Sequence, residues 1–260
     1  MLDVAGLAFR DKTQRRDALT RALSHEGLTF STDDYGGGVN FSFGTGGGVL
    51  FSAHYDNFPD SYGANDNLAA VCIMIELAKH VHADFVLTDG EESGHTGAKH
   101  YAETHDIQRV VNLDLCGYGD SIVMCAKGKG FRDFTSPELL TKHNAHLVRY
   151  LPPGDDVMYR KYHVPVLSVS IVPKWDVQYL KALASFGERL LGQPPEFDMI
   201  ISQMEITQTI HNGAKDSPEY VQPEAMQRVY DYLYDAMTTE YTQKNIFRRF
   251  HDELRRIIQA

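Results

Sequence analysis

Cysteine is scarce: Cys72, Cys116 and Cys125 are the only three. The number is odd, and no spacing resembles a disulfide framework or a thiolate zinc site. Cys72 falls in an apolar run and reads as core. So little cysteine suits a reducing compartment, and a cytoplasmic location is expected. No apolar run reaches the ~18 residues that a membrane span needs. No basic segment followed by an apolar stretch opens the chain, so no signal peptide is expected either. Positive charge is short as well, with 25 Lys+Arg against 35 Asp+Glu and a formal net charge of -10. Nucleic acids and anionic membranes call for the opposite balance, so neither is expected as a partner. Repeats, low-complexity blocks and clear linkers are absent. The Gly-rich stretch Gly44-Thr45-Gly46-Gly47-Gly48 has no Lys-Ser/Thr after it and opens no helix, which makes a phosphate loop a weak reading.

What is present is ordinary globular material: 260 residues, 43% hydrophobic and 23% charged. That is enough for one large α/β domain spanning 1–260. An amphipathic helix is expected over about 10–26, with Ala18, Leu19, Ala22 and Leu23 on one stripe. Period-two alternation predicts a strand at 39–43, and another follows at 49–53. Residues 67–80 are apolar nearly all round and read as a buried helix. Strands are expected at 85–87, 110–113, 122–125 and 164–172, and helices at 98–103, 136–149 and 176–191. The segment 192–204 reads as an excursion or loop. Residues 205–210 alternate like a further strand, and a helical tail covers about 222–259 in two pieces. The second piece, 244–259, is basic and amphipathic. Packing on its own domain is the favoured reading for it, and a homo-oligomer contact the other. Strands alternating with helices imply a mixed, mostly parallel sheet covered on both faces.

The polar residues at strand ends form a pattern. Strand 49–53 runs into His54-Tyr55-Asp56, and the buried helix starts beside Asp66. Strand 85–87 leads to Glu91-Glu92, strand 110–113 to Asp114, and the 205–210 segment to His211. In open α/β sheets, ligands bind beyond the carboxyl ends of the strands. Taken singly, a strand-end Asp is ordinarily a cap, a lone His a packed one and an acidic pair a solvated turn. Together, five segments bring imidazole and carboxylate donors without thiolate to one rim, which suits zinc or a similar divalent ion. Three carboxylates and two histidines hold two ions if one carboxylate bridges, and Asp66 enters between the two groups. Two ions ~3.5–4 Å apart activate a water and polarise a carbonyl. The remaining Glu of the pair is then free to carry protons. Asp56 lies two residues after His54, where it could orient the imidazole through its other nitrogen.

These motifs carry a resemblance. His54-Tyr55-Asp56, Gly63-Ala64-Asn65-Asp66-Asn67, Asp89-Gly90-Glu91-Glu92-Ser93-Gly94, Asn112-Leu113-Asp114, and Ile210-His211 followed by Asp216-Ser217-Pro218-Glu219 resemble the zinc-dependent aminopeptidase family. That family has two co-catalytic metals and also contains glutaminyl cyclases and glutamate carboxypeptidases. The match runs from about residue 48 to 229. It implies a three-layer α/β sandwich of the zinc-exopeptidase, phosphorylase/hydrolase-like kind. It also implies two divalent ions, most simply Zn2+, and a peptide substrate with a free N-terminus. His54 and Asp114 would hold one ion, Glu92 and His211 the other. Asp66 would bridge them, with a cis peptide to Asn67. Glu91 would be the general base and later the acid, and Asp56 a supporting residue behind His54.

Two stretches depart from the family's pattern. His95-Thr96 stands where an apolar residue is usual, and a solvated histidine at a helix start is the expectation for His95. Pro153-Gly154-Asp155-Asp156-Val157-Met158-Tyr159 replaces a Ser-Asp-His-x-x-Phe segment. The resemblance also leaves a glutaminyl cyclase-like acyl transfer and a non-catalytic relative as alternatives. A carboxypeptidase would need a basic residue for the substrate carboxylate, and Arg160 and Lys161 are the nearest. Leu115 and Ile210, each next to a proposed ligand, are candidates for the wall of an apolar pocket or for plain core.

Overall fold

A computed structural model describes residues 1–186 and 194–239. Helix α1 (Lys12–His25) opens the main body, its first turn held by Asp11, whose carboxylate accepts from the Gln14 amide at 2.8 Å. Then come β1 (Phe30–Asp34), β2 (Val39–Gly44), β3 (Leu50–His54), α2 (Ala69–Leu77), β4 (Asp84–Thr88), α3 (Thr96–Thr104), β5 (Val110–Leu113) and β6 (Ser121–Lys127). They are followed by α4 (Pro137–Lys142), β7 (His146–Leu147), α5 (Asp156–Lys161), β8 (Val166–Val172), α6 (Asp176–Leu183), α7 (Pro195–Gln203) and α8 (Pro223–Thr238).

The strands make one eight-stranded sheet in the order β1-β2-β4-β3-β5-β8-β6-β7. Its centre, β4-β3-β5-β8, is parallel, while β1, β2 and β6 pair antiparallel with their neighbours towards the centre. This is the expected mixed sheet, with four of its seven pairings parallel. Alternate strand residues face opposite ways, so each strand feeds two cores. Phe51, Phe85, Val111 and Leu167 pack with Leu19 and Leu23 of α1, the apolar face of α2, and Val229 and Leu233 of α8. Their sequence neighbours Leu50, Val86, Val110 and Val166 pack on the other face against Ala98 and Tyr101 of α3 and Tyr159 of α5. Val123 and Cys125 do the same beside Val177, Leu180 and Leu183 of α6 and Phe197 of α7. A fully buried side chain such as Phe51 contributes about 1.5–3 kcal/mol relative to an exposed one.

The connections fix where a site can form. From β3 the chain crosses through α2 on one face to β4, on one side of β3. It then crosses through α3 on the other face to β5, on β3's other side. Neighbouring connections therefore leave the carboxyl ends of β3, β4 and β5 in opposite directions, the arrangement beside which open α/β sheets bind ligands.

Several local expectations need correction. Residues 205–210 are not a strand: Glu205–Thr209 is a 3-10 turn. Its first amides are capped by Asp176, which accepts from Glu205 N at 3.1 Å and Ile206 N at 2.8 Å. Thr207 and Thr209 turn their hydroxyls back onto the Met204 and Ile206 carbonyls, a local competitor of strand pairing. The helix expected over 136–149 stops at Lys142, and the short β7 joins the sheet edge instead. Within 192–204, Pro195 starts a real helix, α7. The strand β1 and the helix α5 were not anticipated. The expected tail helix at 244–259 and residues 187–191 of the 176–191 helix lie outside the described residues.

Candidate metal centre

Each candidate side chain is delivered by an element just described. His54 is the last residue of β3, opposite Thr88 in the parallel register with β4. Asp114 directly follows β5, and Glu91-Glu92 lie in the turn between β4 and α3. Because β3 lies between β4 and β5, these groups converge. Asp66 comes from a wide turn, Ala64–Leu68, ahead of α2, and the Asp66-Asn67 peptide is cis. Gly63, with φ 55°, admits this turn: a Cβ there would sit 2.7 Å from the Asp66 carbonyl oxygen and 3.0 Å from an Arg15 nitrogen. His211 lies beyond the 205–209 turn with φ 49°.

Among the described residues, two groups have the donor sets for a cation. They are His54, Asp66 and Asp114, and Asp66, Glu92 and His211, with the candidate ligand atoms of each within 4.8 Å of one another. Asp66 divides its two oxygens between them. Its Oδ1 lies 3.1 Å from His54 Nε2, and its Oδ2 lies 3.8 Å from His211 Nε2. On the first side, Asp114 Oδ1 is 3.9 Å from His54 Nε2. On the second, Glu92 Oε2 is 3.4 Å from His211 Nε2.

The surroundings fit a cation. His54 Nε2 and Asp114 Oδ1 are buried and have no hydrogen-bond partner, an arrangement that is costly unless something else satisfies them. Burial, followed by repulsion from Asp66, pushes the Glu92 carboxyl up to about 8. Burial is also the main reason that Asp114 rises to about 7, with Asp66 adding and His54 subtracting. Burial opposes a charge on His54, but Asp114, Asp56 and Asp66 together outweigh it and hold the imidazole well above its ordinary value. Clustered carboxylates that resist ionising are relieved by a divalent ion. The donors are imidazole and carboxylate, a set that suits zinc or a similar ion.

Asp56 has a wider part than the sequence suggests. Its Oδ1 lies 3.4 Å from His54 Nδ1, the nitrogen facing away from the cluster. The same carboxylate accepts from the Glu91 amide at 3.0 Å and the Glu92 amide at 3.2 Å. One buried side chain thus orients an imidazole from β3 and the backbone of the acidic pair after β4. His211 is held differently. It stacks on Phe58 at 4.6 Å between ring centroids. The next residue, Asn212, gives its amide to Asp216 Oδ2 at 3.2 Å, and that oxygen also accepts from Ser61 Oγ at 2.6 Å.

The expectation for His95 is overturned. It is not solvated: its ring is 23% exposed and its Nδ1 lies 3.2 Å from Glu91 Oε1 and 3.4 Å from Asp155 Oδ1. The signal in the sequence was a histidine at an apolar position, but its partner Asp155 lies far along the chain. Arg15 was missed altogether. It is fully buried and donates to the Phe9, Tyr55 and Tyr62 carbonyls. Its place on the α1 stripe with Ala18, Leu19, Ala22 and Leu23 could have flagged it. Arg160 pairs with Asp156 at 3.1 Å. Leu115 packs at the edge of the core under α6 and α7, which favours the core reading for it.

The pattern that defines peptidase family M28 matches residues 43–237, most of the chain. The chain belongs to this family. Over 82 residues it is 37% identical to the aminopeptidase YwaD of Bacillus subtilis, a stretch covering 26% of this chain and 18% of that protein. Its fold is similar to that of a zinc aminopeptidase from Bacillus subtilis, with a TM-score of 0.56, 18% identity, and coverage of 76% of this chain and 48% of the other. It is also similar to Tannerella forsythia glutaminyl cyclase, with a TM-score of 0.55, 13% identity, and coverage of 90% and 94%. The matched stretches span only 9% to 18% of the length of the curated relatives.

Proposed function

We propose that this chain is a metal-dependent aminopeptidase that removes the N-terminal residue of peptides. The observation that carries the reading is the split of Asp66, one oxygen towards His54 and one towards His211. His54, Asp66 and Asp114 would hold one divalent ion, and Asp66, Glu92 and His211 a second, zinc being the natural choice for these donors. When bound, such a pair supplies Lewis acidity towards a carbonyl and lowers the pKa of a water. Glu91 accepts a proton from the attacking water as its oxygen bonds to the scissile carbonyl carbon. Glu91 then returns the proton to the leaving nitrogen as the C–N bond breaks. Without a bound ion, the Glu91 carboxyl is held below its ordinary range, because His95 and His54 outweigh the effect of burial. Asp56 keeps His54 and the Glu91-Glu92 backbone in place. All three cysteines are buried and unpaired, in keeping with the cytoplasmic setting that we also propose.

Glu91→Gln tests the assignment. Hydrolysis of aminoacyl-anilides should fall by roughly 10²- to 10⁴-fold or more, with zinc content by mass spectrometry unchanged. Full activity in that variant would remove Glu91 from the base role. The cyclase alternative is separated by two measurements: one ion per chain together with pyroglutamate formation from N-terminal Gln would replace the aminopeptidase reading.

A further inference from the structure

The second departure from the family's pattern meets the first in space. His95, in the turn after the acidic pair, has φ 59°, a conformation uncommon for a residue with a side chain. There its Nδ1 sits between two carboxylates, Glu91 at 3.2 Å and Asp155 at 3.4 Å, and forms a linear hydrogen bond with neither. Asp155 is almost wholly buried, and its other oxygen accepts from Thr88 Oγ1, at the end of β4, at 2.5 Å. The adjacent Gly154 forms a wall of the reaction space. A Cβ there would come 2.8 Å from Asp114 Oδ2 and 3.6 Å from Glu91 Oε1. Contact with Asp155 and Glu91 pushes the His95 imidazole up to about 10, so it pairs as a cation.

We infer that His95 is a positioning residue that ties Glu91 to the Asp155 loop, fixing both the carboxylate and the Gly154 wall beside it. The inference rests on the proposed base role of Glu91. Four residues, from the end of β4, the turn after it and the Asp155 loop, form one chain, Thr88–Asp155–His95–Glu91. Without the His95 link, the Glu91 carboxylate is free to rotate away from the attacking water, and orientation of this kind acts on the chemical step rather than on binding.

The test uses the full zinc-loaded chain and an aminoacyl-anilide. His95→Leu keeps bulk and loses the donor, whereas His95→Asn places an amide nitrogen near the Nδ1 position. His95→Leu should lower kcat by about tenfold or more, with KM within about threefold and zinc content unchanged. His95→Asn should recover kcat to within about threefold of the parent. Asp155→Asn should lower kcat similarly and, by NMR, lower the titration midpoint of the His95 ring, a readout independent of turnover. The inference is overturned by parental kcat in His95→Leu, by equal losses in the Leu and Asn variants, by a loss that follows zinc content, or by an unmoved His95 midpoint. Glu91→Gln separates the two levels. If it stays active, the base role and this inference fall together. If it is inactive while His95→Leu is fully active, only the His95 link falls.

Discussion

The two halves of the candidate metal centre are built differently. The His54 half grows out of the sheet: its imidazole ends a central parallel strand, is 2% exposed, and is braced by Asp56 from behind. The His211 half is carried by a loop, and its imidazole is 49% exposed, held by stacking on Phe58 and by hydrogen bonds to the next residue. Asp66 joins them through its two oxygens. A strand-end ligand is placed by the same pairing and burial that form the core. A loop-borne ligand is placed by contacts that can give way without unfolding the protein. The first half should therefore couple metal binding to folding, and the second should not.

The largest effect is expected where the halves meet. Asp66→Ala removes the shared carboxylate, and both ions should be lost, with anilide hydrolysis falling to background and zinc per chain falling below one. Retention of two ions would show that the halves are independent. Next comes the direct contrast. His54→Ala should cost the metal-free protein about 1–3 kcal/mol, since it opens a buried site and removes the imidazole that Asp56, Asp66 and Asp114 face. His211→Ala should leave metal-free stability within about 0.5 kcal/mol, as for a surface substitution, while weakening one ion. Urea unfolding of both chelated variants decides this, and equal losses would break the comparison. The last effect concerns pH. Glu92 and Asp114 have raised folded values of about 8 and 7 against ordinary values of 4.5 and 3.8. In the folded metal-free protein they keep protons that the unfolded chain has released. That contribution is fully present below the ordinary values and is lost as pH rises through the raised ones. The melting temperature of chelated protein should therefore fall between about pH 5 and pH 8, and less so in Glu92→Gln. Zinc should reverse the trend, because ions bind the deprotonated ligands.

Legibility follows the same division. The strands under His54, Glu91-Glu92 and Asp114 could be read because their apolar runs are short, rich in β-formers and end abruptly in charge. His211 joins the candidate cluster although the strand expected before it is a 3-10 turn. The alternation of Ile206, Thr207 and Thr209 imitates a strand, while the turn is set by Asp176, which is distant in sequence. The role of His95 was hidden for the same reason: the position looks like an exposed helix start until Asp155 and Glu91 are brought against it. Arg15 needed the fold to show that an arginine on an apolar stripe ends among carbonyls.

The sequence by itself determined the layered α/β plan, the strand ends that carry donors, the absence of thiolate among them and the candidates for two cation sites. These rest on periodicity, composition and the chemistry of side chains, which are local properties. Only the tertiary structure decided that Asp66 faces both histidines, that Asp56 binds the amides of the acidic pair, and that His95 links Glu91 to Asp155. Those depend on strand order and on turns that bring residues distant in the chain within a few ångströms, and no local pattern encodes such distances.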